Sequence, residues 1–306
     1  MFAALSVDLD EIDCYASIHG LTGLEGERAI YRKALPRFAA LFDELDVPAT
    51  FFVIGRDVDG ENAERLRRLH AAGHELGNHT YDHLYDLTRR DRGVIAEEVE
   101  RGADAIEAAT GRRPVGFRAP GYTISDTVFE VLEAQGYAYD SSVFPCPPYY
   151  GAKSLAIGLY AARARLGRGR PSSSVVDDPR VLRAPADPYR RGRPYWTRGH
   201  GMVELPIGVT RGLRLPFIGT TVALASVRGA ELLTRQMLGR PLINLELHGI
   251  DLADADEDGL QALRPHQPDL RRSARHKAES LRRAVRVLRD AGYTLVTLAD
   301  AARQLA

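Results

Sequence analysis

Phe2-Ala3-Ala4-Leu5-Ser6-Val7-Asp8-Leu9-Asp10 is a short apolar run that ends on two carboxylates, and it reads as a β-strand that delivers charge at its C-terminal end. Runs of the same kind return at Ala49–Gly55, Glu75–Asn78, Gly116–Arg118, Ala138–Ser141, Val203–Ile207, Leu242–His248 and Thr294–Leu298. Between them, Arg28–Leu45, Ala63–Ala72, Arg92–Ala109, Asp126–Ala134, Ala230–Met237 and Ser273–Ala291 carry apolar residues at helical spacing. Strands that alternate with helices build a parallel sheet, so the chain is predicted to be one α/β domain over 1–306. Gly73, Gly111, Gly136 and Gly292 each follow a helical stretch and are expected to end it in the left-handed conformation. Only Pro145 to Gly201 breaks the rhythm, and residues 145–201 read as an irregular insertion containing a short apolar and basic helix at Ala152–Leu166.

A length of 306 residues with 44% hydrophobic and 27% charged side chains supplies a large core and a soluble surface. Lys+Arg and Asp+Glu both total 41, which removes any global electrostatic reason to expect a nucleic-acid partner. Cys14 and Cys146 lack the spacing of a thiolate metal knuckle or a disulfide scaffold. The first residues show no secretory-signal pattern and no run approaches the roughly 18 apolar residues of a membrane span, so a cytoplasmic location is expected. Residues 152–170 read either as a loop over the substrate or as a peripheral membrane contact.

Four motifs carry chemistry. In the opening run, period-two geometry puts Asp8 and Asp10 on one face, where one carboxylate can bind a divalent cation while the other takes a proton from water. Asp-x-Asp also serves turns and caps. In His79-Thr80-Tyr81-Asp82-His83, histidines four apart fall on one face of a helical turn, and with Asp10 they form a two-His, one-carboxylate set that suits zinc. An isolated pair of this spacing is as readily surface decoration. Phe117-Arg118-Ala119-Pro120-Gly121-Tyr122 fixes a guanidinium at the rim of the sheet, able to hold a catalytic carboxylate or to form an ordinary surface ion pair. Leu245-Glu246-Leu247-His248 brings a histidine to a strand's C-terminal end, where it can protonate an amine leaving group or serve a structural role. Asn244, Glu246 and His248 share one face, which places Glu246 beneath the site as a partner.

Taken in order, these motifs make the chain resemble the polysaccharide deacetylases, carbohydrate esterase family four, from the first strand to the helix ending near Ala306. The resemblance implies a distorted (β/α)7-type barrel and one divalent metal ion, zinc first, with cobalt, manganese or nickel as alternatives. It also implies hydrolysis of N-acyl groups, chiefly N-acetyl, from an amino sugar in a glycan or on a nucleotide or lipid carrier. Carried across, Asp10, His79 and His83 would hold the metal, Asp8 would be the general base oriented by Arg118, and His248 the acid. Tyr137-Ala138-Tyr139-Asp140-Ser141-Ser142 resembles the family's fourth motif, in which Asp140 helps to set the charge of His248. The backbone amide of Gly121 or Tyr122 would steady the oxyanion.

Ser6-Val7-Asp8-Leu9-Asp10-Glu11 stands where the family usually has Thr-Phe-Asp-Asp-Gly, and Glu246 where the last motif often has leucine. These shifts resemble the subgroup with peptidoglycan-deacetylase-like, allantoinase-like and aminoarabinose-lipid deformylase-like members. A deformylase or allantoinase-like amidohydrolase is therefore the alternative activity, and a non-catalytic sugar-binding barrel the alternative class. Tyr15, His19, Glu25, Tyr149, Tyr150, Trp196 and His200 are expected in the loops that choose the substrate.

Overall fold

Strand β1 (Phe2–Asp8) shows how the sheet divides its two faces. Ala3, Leu5 and Val7 pack outward into the main apolar core, while Ser6 and Asp8 turn inward to polar partners. The computed structural model describes residues 1–21, 28–167 and 170–305, so Glu25 and Arg168 lie outside the described residues. After β1 the chain forms α1 (Ile12–His19), α2 (Leu35–Glu44), β2 (Thr50–Val53), α3 (Gly60–Ala71), β3 (Glu75–Asn78) and α4 (Arg92–Thr110). It continues through β4 (Gly116–Phe117), α5 (Asp126–Ala134), β5 (Tyr139–Asp140), α6 (Pro147–Arg165), β6 (Tyr189–Arg191) and β7 (Arg198–Glu204). The last elements are α7 (Gly219–Leu224), α8 (Val227–Met237), β8 (Leu242–His248), α9 (Ala274–Asp290), β9 (Thr294–Leu295) and α10 (Leu298–Leu305).

The strands lie in the order β6-β7-β5-β4-β3-β2-β1-β8, with β9 paired to the start of β1. Every pairing is parallel except β6 with β7. Beyond β7 the sheet curls back on itself, because the Gly208 amide donates to the Asn244 carbonyl of β8 at 3.0 Å. A Cβ at position 208 would stand 2.5 Å from that oxygen, so the curl needs glycine there. The result is the expected mixed α/β architecture, a curled half-barrel with its helices outside.

The predicted helix stops hold: Gly73, Gly111, Gly136 and Gly292 have φ of 91°, 72°, 79° and 79°. Four elements are additional to the expectation, α1, α7, α10 and β6. Helix α1 is only eight residues long, too short for a periodic signal, and is bounded by the Glu11 side chain and by Gly20 in the left-handed conformation. Helix α10 begins at Leu298, its amide held by Thr50 Oγ1 at 2.9 Å, and this confines the last strand to two residues. Strand β6 pairs with a β7 that begins at Arg198, earlier than the predicted Val203. Helix α6 likewise starts before Ala152, with prolines in its first turn, where their missing N–H groups cost nothing.

Candidate metal and acid-base site

The His79–His83 segment is not the helical turn its spacing suggested. Thr80 and His83 have φ of 65° and 56° in an irregular loop, each amide held by a side chain: Thr80 N by Asn78 Oδ1 (2.8 Å) and His83 N by Thr80 Oγ1 (3.1 Å). These side-chain bonds offset the strain of left-handed backbone in residues other than glycine. They also aim both imidazoles at one point. His79 Nε2 and His83 Nε2 lie 3.2 Å apart, and each is 3.4 Å from Asp10 Oδ1.

A cation held tetrahedrally at about 2.0–2.1 Å from nitrogen and oxygen ligands separates its ligand atoms by roughly 3.3 Å. The observed triangle has that size. Its chemistry agrees, since His79 Nδ1 donates to the Arg118 carbonyl at 2.7 Å, which leaves Nε2 as the lone-pair end facing Asp10. Asp10 Oδ1 is buried without a hydrogen-bond donor. Burial pushes His83 down to about 4, keeping it in the neutral form that a ligand requires. Burial raises the Asp10 carboxyl, but the adjacent His83 and His79 outweigh it and hold the group below the usual carboxylate range. The three residues therefore form a group that fits a divalent metal.

Beside this triangle stand Asp8 and His248, register partners on neighbouring strands. Arg118 is fully buried over the Phe52 ring and donates from Nη1 to Asp8 Oδ1 at 2.6 Å. Its Nη2 donates to Ser6 Oγ and Ser141 Oγ and its Nε to the Ser141 carbonyl, each at 2.9 Å. With every edge of its fork engaged, the guanidinium has one orientation and fixes Asp8 Oδ1 with it. Asp8 Oδ2, 3.9 Å from His79 Nε2, is left facing the metal group. His248 Nδ1 approaches Glu246 Oε1 at 3.0 Å, an ion-pair contact off hydrogen-bond alignment, and its Nε2 lies 3.2 Å from the Tyr122 hydroxyl. Burial disfavours the charged ring, yet Glu246, with Asp10 and Asp8, outweighs it and holds His248 well above the ordinary imidazole range.

The geometry corrects two expectations. Asp140 does not tune His248: it accepts from the Ser142 amide and hydroxyl at 3.0 and 2.7 Å and faces Glu204 across β5 and β7. Burial and Asp140 together push Glu204 well above the carboxylate range. Glu246 makes the contact with His248 that was expected of Asp140, because residues two apart on one strand share a face. The Tyr122 amide, in turn, donates to the Ala119 carbonyl at 3.1 Å and does not point to an oxyanion; its phenol makes the contact to His248. The Gly121 carbonyl accepts from Lys153 Nζ at 2.8 Å, which ties the Pro120–Tyr122 turn to α6.

Sequence reasoning missed Tyr85, whose ring stands edge-on to His83 at 4.6 Å and whose buried hydroxyl has no partner. No signal marked it beyond its place two residues after His83. Tyr15, expected only as a loop residue, is likewise buried with an unpartnered hydroxyl, its ring 6.3 Å from that of His248. Tyr149 packs against Tyr122, and His19 bonds Tyr160 and Gln267. Trp196 stacks with Arg180, and His200 lines a cleft with Tyr137 and Arg303 near the start of β7, so neither touches the site. Both cysteines are free buried thiols. Access to His83 runs through a cavity of about 350 Å³ lined by Asp13, Cys14, Arg56, Tyr85 and Ser173. A larger cavity of about 680 Å³ lies outside the sheet between α2 and α3 and contains none of these groups.

Comparison with known proteins agrees with the fold and the motifs. Residues 27–139 match the family model described as polysaccharide deacetylase. A peptidoglycan deacetylase of Helicobacter pylori is 29% identical over 161 residues, covering 49% of this chain and 53% of its own length. A peptidoglycan-N-acetylglucosamine deacetylase of Bacillus cereus is 33% identical over 102 residues, covering 33% of this chain and 46% of its own length. The chain thus spans about half the length of these curated relatives. The crystal structure of a protein from Mycobacterium smegmatis, described as a putative polysaccharide deacetylase, superposes with a TM-score of 0.61 over 99% of this chain and 88% of that one, at 20% identity. The family model and the relatives support the polysaccharide deacetylase family for this chain.

Proposed function

We propose, on the premise that the chain is a polysaccharide deacetylase family member, that it hydrolyses the N-acetyl group of an amino sugar with a divalent metal, zinc first, held by Asp10, His79 and His83. The observation that carries this reading is the convergence of one carboxylate and two imidazole nitrogens at 3.2–3.4 Å, with Asp8 and His248 at its edge. A divalent cation in that triangle supplies Lewis-acid polarisation of the acyl carbonyl and a lowered pKa for water. Asp8 Oδ2, its twin oxygen fixed by Arg118, takes the proton of the attacking water as the general base. His248, held charged by Glu246, gives its proton to the departing nitrogen as the C–N bond breaks, leaving acetate and a free amine. No covalent enzyme intermediate is needed. Tyr15 and Tyr85 present hydroxyl donors to the polar groups of the bound substrate.

The relatives' names favour acetate as the released acid, and the Glu246 substitution in the last motif keeps formyl as the second candidate. Metal-loaded protein incubated with N-acetylated and N-formylated sugar conjugates should release acetate and leave the formyl conjugates largely intact. Formate as the main acid would transfer the site to the deformylase reading, and no acid from any conjugate would support the non-catalytic barrel. A structural check accompanies this. His79→Ala should lower bound metal by at least about tenfold, because a two-ligand remnant cannot close the set. Unchanged metal stoichiometry in that variant would remove His79 from the ligand set.

A further inference from the structure

Helix α6 leaves apolar side chains exposed along its outer side. Its inner stripe includes Lys153, which holds the Gly121 carbonyl, and Tyr160, whose hydroxyl is 2.9 Å from His19 Nδ1. The outward stripe is Ala152, Leu155, Ala156, Leu159, Ala162 and Leu166, which recur at spacings of three and four and are all exposed. Leu155, Leu159 and Leu166 are 66%, 55% and 71% exposed, where a surface helix ordinarily places charged or polar side chains. No residue of α6 is buried.

Charge identifies the occupant. From Pro147 to Arg170 the chain carries Lys153, Arg163, Arg165, Arg168 and Arg170 and no aspartate or glutamate, within a protein whose formal net charge is +0. Arg163 and Arg165 are exposed at the end of the apolar stripe. A continuous leucine-alanine face flanked by arginines matches an anionic lipid surface, with acyl chains under the leucines and headgroup phosphates on the guanidiniums. The face lacks the aromatic anchors seated in pockets that mark protein interfaces.

Position gives the surface a purpose. The first turn of α6 carries Tyr149, packed on Tyr122, which in turn contacts His248. A membrane on the outer face of α6 therefore lies about one helix diameter, roughly 10 Å, from the residues that touch the acid histidine. We infer that α6 docks on an anionic bilayer. This docking does not rest on the hydrolase reading above.

Co-sedimentation with vesicles tests it. Wild-type protein should pellet with vesicles of phosphatidylcholine and phosphatidylglycerol in equal parts and stay in solution with phosphatidylcholine alone. Leu155→Asp/Leu159→Asp should lower the bound fraction by at least about tenfold. Arg163→Ala/Arg165→Ala should weaken binding and flatten its salt dependence. Circular dichroism and bound metal, both unchanged, show that the variants are folded. Equal pelleting of wild type and the leucine variant would overturn the proposal. So would equal binding to both vesicle types, or a wild-type dimer that the leucine variant dissolves, which would give the face to a second copy of the chain. Vesicle binding as stated, together with no acid released from any sugar, would leave the docking surface standing and sink the hydrolase reading alone.

Discussion

Asp8→Asn should leave the metal bound and lower kcat by about 10³-fold, the range in which removal of a positioned base falls. The substitution keeps the size of the side chain and an oxygen that can accept from Arg118 Nη1, so the walls of the site need not move. What disappears is the proton acceptor at Oδ2, which faces His79 Nε2 at 3.9 Å, too far to belong to the ligand triangle. Metal analysis and kcat on one preparation separate the two functions. Retained turnover with full metal occupancy would take the base role away from Asp8. Loss of metal together with activity would make Asp8 a ligand. A structural cost accompanies the chemical one, because Arg118 is then buried opposite a neutral amide with Glu246 as its remaining nearby anion. A lower Tm at unchanged metal content is expected.

The parts of this protein that were legible in its sequence are those set by local period. Alternation in β1 and β8 placed Asp8 and His248 at the same end of the sheet, and the structure pairs them in register. Left-handed glycines marked where helices stop. The spacing of His79 and His83 suggested a shared target through a helical turn, whereas the convergence comes from Asn78 and Thr80 side chains that hold left-handed backbone. A spacing rule cannot distinguish these, because both geometries bring the fourth residue back.

Long-range contacts were illegible for a different reason. Arg118 meets Ser6 across 112 residues and Ser141 across 23, and Asn244 meets Ser141 across 103. Together they form a polar plug inside the curled sheet, beneath the site. No periodicity encodes such a plug, since Ser6 and Asn244 are small polar residues on inward-facing strand positions, where apolar ones would be equally regular. The choice between Asp140 and Glu246 as the partner of His248 failed on the same ground. Both acids were identified, but motif likeness pointed to Asp140, which instead bonds Ser142 and lies in register with Glu204 of β7. Helix α6 was half visible: its composition was read, yet which face points outward depends on Lys153 and Tyr160 finding partners in remote loops.

Glu246→Gln should move the alkaline limb of the pH-activity profile toward acid by about 1–2 units and lower kcat more than tenfold at pH 8, with KM little changed. Glu246 is the foremost of the groups that oppose burial at His248, ahead of Asp10 and Asp8, so removing its charge lets burial depress the imidazolium. The sign follows from the raised pKa. The charged ring contributes stability and acid catalysis that are fully present below the unfolded imidazole pKa and are lost as pH rises through the higher folded value. In the variant that folded value falls, and both losses begin at lower pH. His248→Ala is the limiting case: it removes the proton donor at every pH, lowers kcat by about 10³-fold and flattens the alkaline limb. Asp140→Asn is the contrast, since Asp140 accepts from Ser142 and lies beside Glu204 without touching His248, so it should change Tm and leave the limb in place. If Asp140→Asn shifted the limb and Glu246→Gln did not, the acid would take its charge from β5. The ion pair on β8 would then be only packing.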